Sequence, residues 1–408
     1  MFNFGASMIK RFSSLFDQLA VSAGNFLTVA ICAHSLPLEE QGKFVYIFST
    51  YMGLLLLNVS GIFQGAVVRS PGRENLYESS LISLQWASAI FLSIMAGVGW
   101  YLFSPEFGWV MTLTQLLLII SFFLFQQLAD FKRRAAYIFS VDIDAVISSF
   151  SLYSIRVIAL LILRPENLNS VLLILVLSSV IPVIQMALSL VKINLSLRVR
   201  CQLIGEHLHF SRFFVFGSLL SWFWTQVPVF MLGLMQGKES AAILVSIRGI
   251  SNVANILMEQ LETKVVADWA RMFHSKGAES LKQAIKKLNL FSFIFWLAVM
   301  VLILLFGEKI ITVVLGNLYA PYSLVLSISW IAYGAFYISR IYGIQHRTLG
   351  DNRIEFIGGI FGLVVALIAS WLIIPLFNVF GAAGVYILIA TSMLLSQVLF
   401  PKKLVSHL

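Results

Sequence analysis

Five residues along one apolar segment carry the clearest chemical signal in this chain: Arg248, Asn252, Asn255, Glu259 and Glu262. They fall at i, i+4, i+7, i+11 and i+14, which is one face of an α-helix. A guanidinium flanked by carboxamides suits an anionic, hydroxyl-rich ligand, because arginine donates paired hydrogen bonds to phosphate or carboxylate oxygens. Glu259 adds a group able to exchange a proton or hold a sodium ion. Lipid satisfies none of these groups. The stripe therefore predicts a central aqueous cavity or a buried hydrogen-bond seam between helices, and two carboxylates with an arginine exceed what helix adhesion needs.

Other polar residues sit inside apolar runs. Arg156 shares a segment with Asp142 and Asp144. Asp142 and Arg156 are separated by about 21 Å along a helix, so they cannot pair directly. Asp142 and Asp144 join Glu259 as candidates for ion coupling, with an interfacial position the alternative. Arg340 lies about one turn inside the end of its run, where snorkelling is the plain reading. With Arg248 central and Arg156 and Arg340 towards the two mouths, the cavity is positive and suited to a diphosphate. Gln18 and Asn25 lie on a polar stripe with Ser14 and Ser22 and, with Asn252 and Asn255, can bond sugar hydroxyls. Asp17 beside them reads as cavity-facing or interfacial. Pro182 and Pro228 can kink their helices.

The elements that must carry these residues are membrane spans. The 408-residue chain is 59% hydrophobic and only 12% charged, against about 25% charged in ordinary soluble domains. A spanning helix needs about 20 apolar residues. The runs predict twelve: 13–35, 42–64, 80–103, 108–129, 138–163, 169–191, 213–235, 240–262, 288–306, 321–345, 354–376 and 379–400. The expected fold class is an all-α polytopic membrane protein with two six-helix lobes around a central cavity. Residues 1–191 form the first lobe, 192–212 a cytoplasmic linker and 213–408 the second lobe.

Of the 28 Lys and Arg residues, 21 fall in alternate gaps between these runs. Cytoplasmic loops retain such residues, which places both termini in the cytoplasm. Lys43, Arg164, Lys238 and Lys309 lie on the opposite side, and Arg156, Arg248 and Arg340 are left inside spans. The net charge of +9 follows from topology and gives no reason to expect nucleic acid as a partner. The first apolar run reads as a span rather than a cleavable leader. Cys32 and Cys201 are too few and too separated for a disulfide framework, and no ligand pairs at useful spacing predict a metal or other cofactor. His207 and His209 read as a solvated pair in a basic loop. Residues 278–288, with Lys282, Lys286 and Lys287 beside Leu281, Ile285 and Leu288, read as a surface-lying amphipathic helix. The short outer loops lack the paired carboxylates or His of a hydrolase or transferase, so an enzyme is not expected.

Phe16–Leu27, F-D-Q-L-A-V-S-A-G-N-F-L, continues into A-H-S-L-P-L-E-E-Q-G-K-F at Ala33–Phe44. This resembles the first hairpin of polysaccharide transporters of the MOP (multidrug/oligosaccharidyl-lipid/polysaccharide) superfamily, which includes the O-antigen flippases. Ile374–Gly384, I-P-L-F-N-V-F-G-A-A-G, resembles the turn between that family's last spans. His34 stands at the family's usual Arg, Leu36-Pro37-Leu38 replaces its Leu-Gly step, and Asn378 stands where glycine is common. The resemblance implies transport of undecaprenyl-diphosphate-linked oligosaccharide across a bacterial inner membrane by alternating access, often coupled to H+ or Na+. It implies membrane lipids and other polysaccharide assembly proteins, such as a polymerase or chain-length regulator, as partners. Gly65–Arg73 also resembles the loop motif of major facilitator transporters, but Arg69 is present where that motif needs Asp. A facilitator-type or drug-efflux transporter is the alternative.

Overall fold

The computed structural model describes residues 3–64, 66, 74–139, 142–191, 197–348 and 353–399. These residues contain helices and no strand. The long elements are α1 (Asn3–Ser35), α2 (Leu38–Asn58), α3 (Glu74–Phe103), α4 (Leu113–Phe139), α5 (Asp142–Leu163), α6 (Leu168–Ser178), α7 (Val180–Val191), α8 (Leu197–Gln236), α9 (Lys238–Leu315), α10 (Ser323–Thr348) and α11 (Arg353–Leu399). A wider helical turn, Val59–Phe63, extends α2. Most of the Gly65–Arg73 motif lies outside the described residues.

Two long helices are broken inside. α9 turns at Gly277, with φ 78°, and α11 at Asn378, with φ 51°. Positive φ favours glycine, and asparagine adopts it more readily than most other residues. The position that is commonly glycine in the resembling family thus carries a residue compatible with the same turn. α6 and α7 form one bent pair, turned by 42° at Ser179. Pro182 lacks the N–H that would continue the helical ladder there.

Nine helical stretches among the described residues are long and apolar enough to cross a membrane, and the bent α6–α7 pair makes a tenth. The stretch Phe356–Leu399 contains the Asn378 break and covers both of the last two predicted spans. Predicted span 240–262 is helical throughout within α9 but is not among the apolar stretches; it bears the Arg248–Glu262 stripe. The surface is apolar where lipid would lie: Phe91, Leu102, Phe291, Leu305, Trp371 and Leu376 are all exposed. Asp17, Asp130, Arg133 and Arg156 are buried instead, an arrangement suited to a hydrocarbon solvent.

The chain forms two compact units, Met1–Trp222 and Phe223–Leu408. In the first, α4 is the hub, touching α2, α3, α5, α6 and α7, while α1 lies along α5. Gly24 on α1 permits this approach: a Cβ there would stand 2.3 Å from the Tyr153 ring on α5. Side chains close the helix ends. The Asn167 Oδ1 accepts from the Ser170 N–H at 3.0 Å, and Glu40 on α2 accepts from the Leu168 N–H at 2.9 Å, filling orphan donors at the start of α6. His207 is buried, its Nε2 3.0 Å from the Gly61 carbonyl oxygen. It is therefore packed rather than solvated as the sequence suggests, because α8 already begins at Leu197.

In the second unit α10 packs against both α9 and α11. Trp269, Leu281, Ile285, Tyr333, Tyr337, Ile341 and Ile344 make its apolar cluster. This corrects the reading of 278–288 as a surface-lying segment. Its apolar side is buried against α10, its lysines face outward, and it continues without interruption into the stretch ending at Leu315.

Candidate functional site

The first unit holds a buried charge cluster built on α4. Gln126, Asp130, Arg133 and Arg134 fall at i, i+4, i+7 and i+8, one helical face. Arg133 is 6% exposed. Its Nη1 donates to Asp17 Oδ2 of α1 at 2.6 Å, and its Nη2 donates to Asp130 Oδ1 at 2.7 Å. Arg134 donates to the other Asp130 oxygen at 2.7 Å. Ser149 of α5 donates to Asp17. Each carboxylate is paired and hydrogen-bonded, the condition under which buried charges persist.

Two sequence readings change here. The triplet Lys132, Arg133 and Arg134 reads as a cytoplasmic loop, yet it lies within α4, which runs to Phe139. Asp17 is 3% exposed and ion-paired, so it is closed against α4 rather than open to a cavity. The signal that would have found this cluster is the spacing from Gln126 to Arg134, hidden when the span is ended at residue 129.

Arg156 on α5 is fully buried. Its Nη2 donates to Gln126 Oε1 at 2.6 Å, and its guanidinium lies 4.8 Å from the Tyr153 ring centre. Nε and Nη1 have no hydrogen-bond partner among the described residues. Gln126 in turn donates to the Leu175 carbonyl at 2.9 Å and to Ser179 Oγ. Arg156 thus reaches, through one glutamine, the backbone at the α6–α7 bend.

Arg248 on α9 is half-buried. Its Nη1 donates to the Tyr386 hydroxyl and, at 3.3 Å, to the Thr225 carbonyl of α8. The guanidinium carbon stands 4.2 Å from the Tyr386 ring centre, a cation–π contact. Tyr386 donates to the same Thr225 carbonyl at 2.8 Å. Thr225 lies three residues before Pro228, where the missing proline N–H weakens the ladder. One turn along α9, Asn252 is exposed and accepts from the Tyr333 hydroxyl at 3.1 Å.

The structure therefore groups Arg248 and Asn252 with Tyr333 and Tyr386, which the sequence does not single out. Gln18 and Asn25 are half-buried on α1, and Asn25 Oδ1 is enclosed without a hydrogen-bond partner among the described residues. Arg340 is half-buried on α10, next to Ser339, which donates to Gln397 at 3.1 Å. The side chains of Asn255, Glu259, Glu262, Asp142 and Asp144 lie outside the described residues. Among the described residues no three His, Cys, Asp or Glu side chains converge as a metal site would require.

This architecture is that of a polytopic helical membrane protein with the fold of the MOP superfamily. The chain is similar to the lipid II flippase MurJ in an inward closed conformation, with a TM-score of 0.68 at 13% identity, covering 96% of this chain and 87% of that one. It is similar to an inward-facing multidrug resistance MATE family transporter of the MOP superfamily, with a TM-score of 0.63 at 11% identity, covering 96% and 92%. A MOP superfamily transporter from Pyrococcus furiosus, described by the reverse polarity of its binding pocket, gives 0.58 at 13% identity, covering 95% and 92%. No family model and no curated protein sequence matches the chain.

Proposed function

We propose that the chain is a flippase for undecaprenyl-diphosphate-linked oligosaccharide, moving a surface-polysaccharide repeat unit from the cytoplasmic to the periplasmic leaflet by alternating access. The observation that carries this reading is Arg248, a half-buried guanidinium in an apolar-surfaced protein, bonded through Nη1 to a hydroxyl and a carbonyl and, among the described residues, paired with no carboxylate. A cation so placed suits a diphosphate, whose oxygens accept paired donors. Asn252, Asn255, Gln18 and Asn25 serve sugar hydroxyls, and Arg156 and Arg340 add positive charge. Glu259, Asp142 and Asp144 couple the cycle to H+ or Na+. Membrane lipids, a polymerase and a chain-length regulator are the partners this role implies. The likeness to MATE transporters supports a second reading, efflux of a small solute.

Cells lacking the chain separate these readings. A flippase defect leaves lipid-linked repeat units accumulated on the cytoplasmic leaflet, whereas an efflux defect leaves that pool unchanged and alters export of a soluble compound. A polymerase or ligase defect instead leaves flipped but unextended units outside.

Topology has its own test, because Cys201 is exposed and Cys32 is buried. With cytoplasmic termini in the inner membrane, an impermeant maleimide labels Cys201 in inside-out vesicles and leaves it unlabelled in spheroplasts. Cys32 stays unlabelled in both until the protein is denatured. Labelling of Cys201 in spheroplasts contradicts the assigned orientation.

A further inference from the structure

We propose that Tyr386 is the positioning residue that orients Arg248 for capture of a lipid diphosphate; this rests on the role given to Arg248 above. Tyr386 is 2% exposed and lies beyond the Asn378 break of α11. It holds the arginine in two ways at once. Its ring lies 4.2 Å from the guanidinium carbon, and its hydroxyl accepts from Nη1 while donating to the Thr225 carbonyl at 2.8 Å. Nη1 reaches that same carbonyl at 3.3 Å, so hydroxyl, carbonyl and guanidinium close a triangle across α8, α9 and α11.

The chemistry follows from the shape of arginine. Its donors form a rigid planar fork, so fixing Nη1 fixes the direction of the remaining Nε–Nη2 edge. That edge is the pair of parallel donors that matches a phosphate geometrically. A guanidinium on a freely rotating stem loses more entropy on binding than one already held. The ring alone attracts the cation but leaves it free to turn about the ring axis; the hydroxyl removes that freedom. An apolar residue would suit this part of α11 as well for membrane insertion, so the polar tip is placed for Arg248 and Thr225.

Binding of farnesyl diphosphate and of uncharged farnesol to the purified full-length protein in micelles tests this. Tyr386→Phe keeps the ring and removes the hydroxyl. It is expected to weaken farnesyl diphosphate binding about tenfold, the scale of one hydrogen bond to a charged group, and to leave farnesol binding unchanged. Arg248→Ala is expected to abolish the preference for the diphosphate, and in that background Tyr386→Phe should add nothing. Unchanged diphosphate binding in Tyr386→Phe, alongside a loss in Arg248→Ala, overturns the positioning role and leaves the role of Arg248 standing. Equal losses for both probes in Tyr386→Phe show general damage to the unit and also overturn it. If Arg248→Ala leaves the preference intact, the role of Arg248 itself fails.

Discussion

Under the proposed flippase role, Arg248→Ala is expected to abolish surface-polysaccharide export in a complementation assay while leaving the amount of protein in the membrane unchanged. The size of the effect comes from the ligand side. Removing one partner of a desolvated charge pair costs about 2–5 kcal/mol of binding, or an affinity weaker by roughly 30-fold to several thousand-fold. The spared abundance comes from the protein side. Tyr386 donates to the Thr225 carbonyl at 2.8 Å without help from Arg248, so that acceptor is expected to keep its donor in the variant. Arg248→Lys keeps the charge but loses the paired donors, and falls between wild type and Ala. Normal export by Arg248→Ala removes this residue from the mechanism.

Arg133→Gln has the opposite profile, a failure of stability before function. Arg133 neutralises Asp17 at 2.6 Å and shares Asp130 with Arg134. Its loss leaves Asp17 buried with, among the described residues, the Ser149 hydroxyl as its donor and no paired cation. Removing one member of a buried ion pair destabilises by about 3–5 kcal/mol, a large part of the stability of a typical domain. Thermal melting of the protein in detergent should show a clear fall in midpoint, and Asp17→Asn alone should show one too. The double variant Asp17→Asn with Arg133→Gln should lose less than the sum of the two, because the charges that the single changes strand are removed together. Additive losses contradict a direct pairing of Asp17 with Arg133.

Much of this architecture is legible in the residue order because lipid leaves so few solutions. Apolar runs must be helices, and the alternating Lys and Arg residues assign their ends. Charge counting failed where a helix outlasts its apolar stretch. α4 continues past residue 129 to Phe139, so Arg133 counts as loop charge although it is the centre of the buried cluster. The amphipathic pattern at 278–288 is real, but its apolar face meets Tyr333 and Tyr337 rather than lipid; periodicity reports that a face is covered without saying by what. Tyr386 and Tyr333 are silent in the sequence, since a tyrosine among leucines and isoleucines looks like any other apolar residue. Their hydroxyl partners come from helices distant in the chain, Thr225 and Asn252.

Two of the three arginines that topology leaves unexplained share a structural habit. Arg156 is tied through Gln126 to the Leu175 carbonyl at the bend of α6 and α7, near Pro182. Arg248 is tied directly and through Tyr386 to the Thr225 carbonyl, near Pro228. Each arginine, directly or through one side chain, thus bonds a backbone carbonyl close to a proline-weakened stretch of helix, although not the carbonyl the proline itself frees. The difference between the two is access. Arg156 is fully buried, whereas Arg248 is half-buried, which makes Arg248 the residue on which the transport account turns.

The most direct measurement is leaflet exchange in vesicles. Purified protein is reconstituted with undecaprenyl-diphosphate-linked oligosaccharide, and an impermeant glycosidase is added outside, with and without an imposed H+ or Na+ gradient. The account predicts that wild-type vesicles expose their inner-leaflet pool to the enzyme and that Arg248→Ala vesicles keep it protected. Protection of that pool in wild-type vesicles under every gradient, or equal exposure with Arg248→Ala, contradicts it.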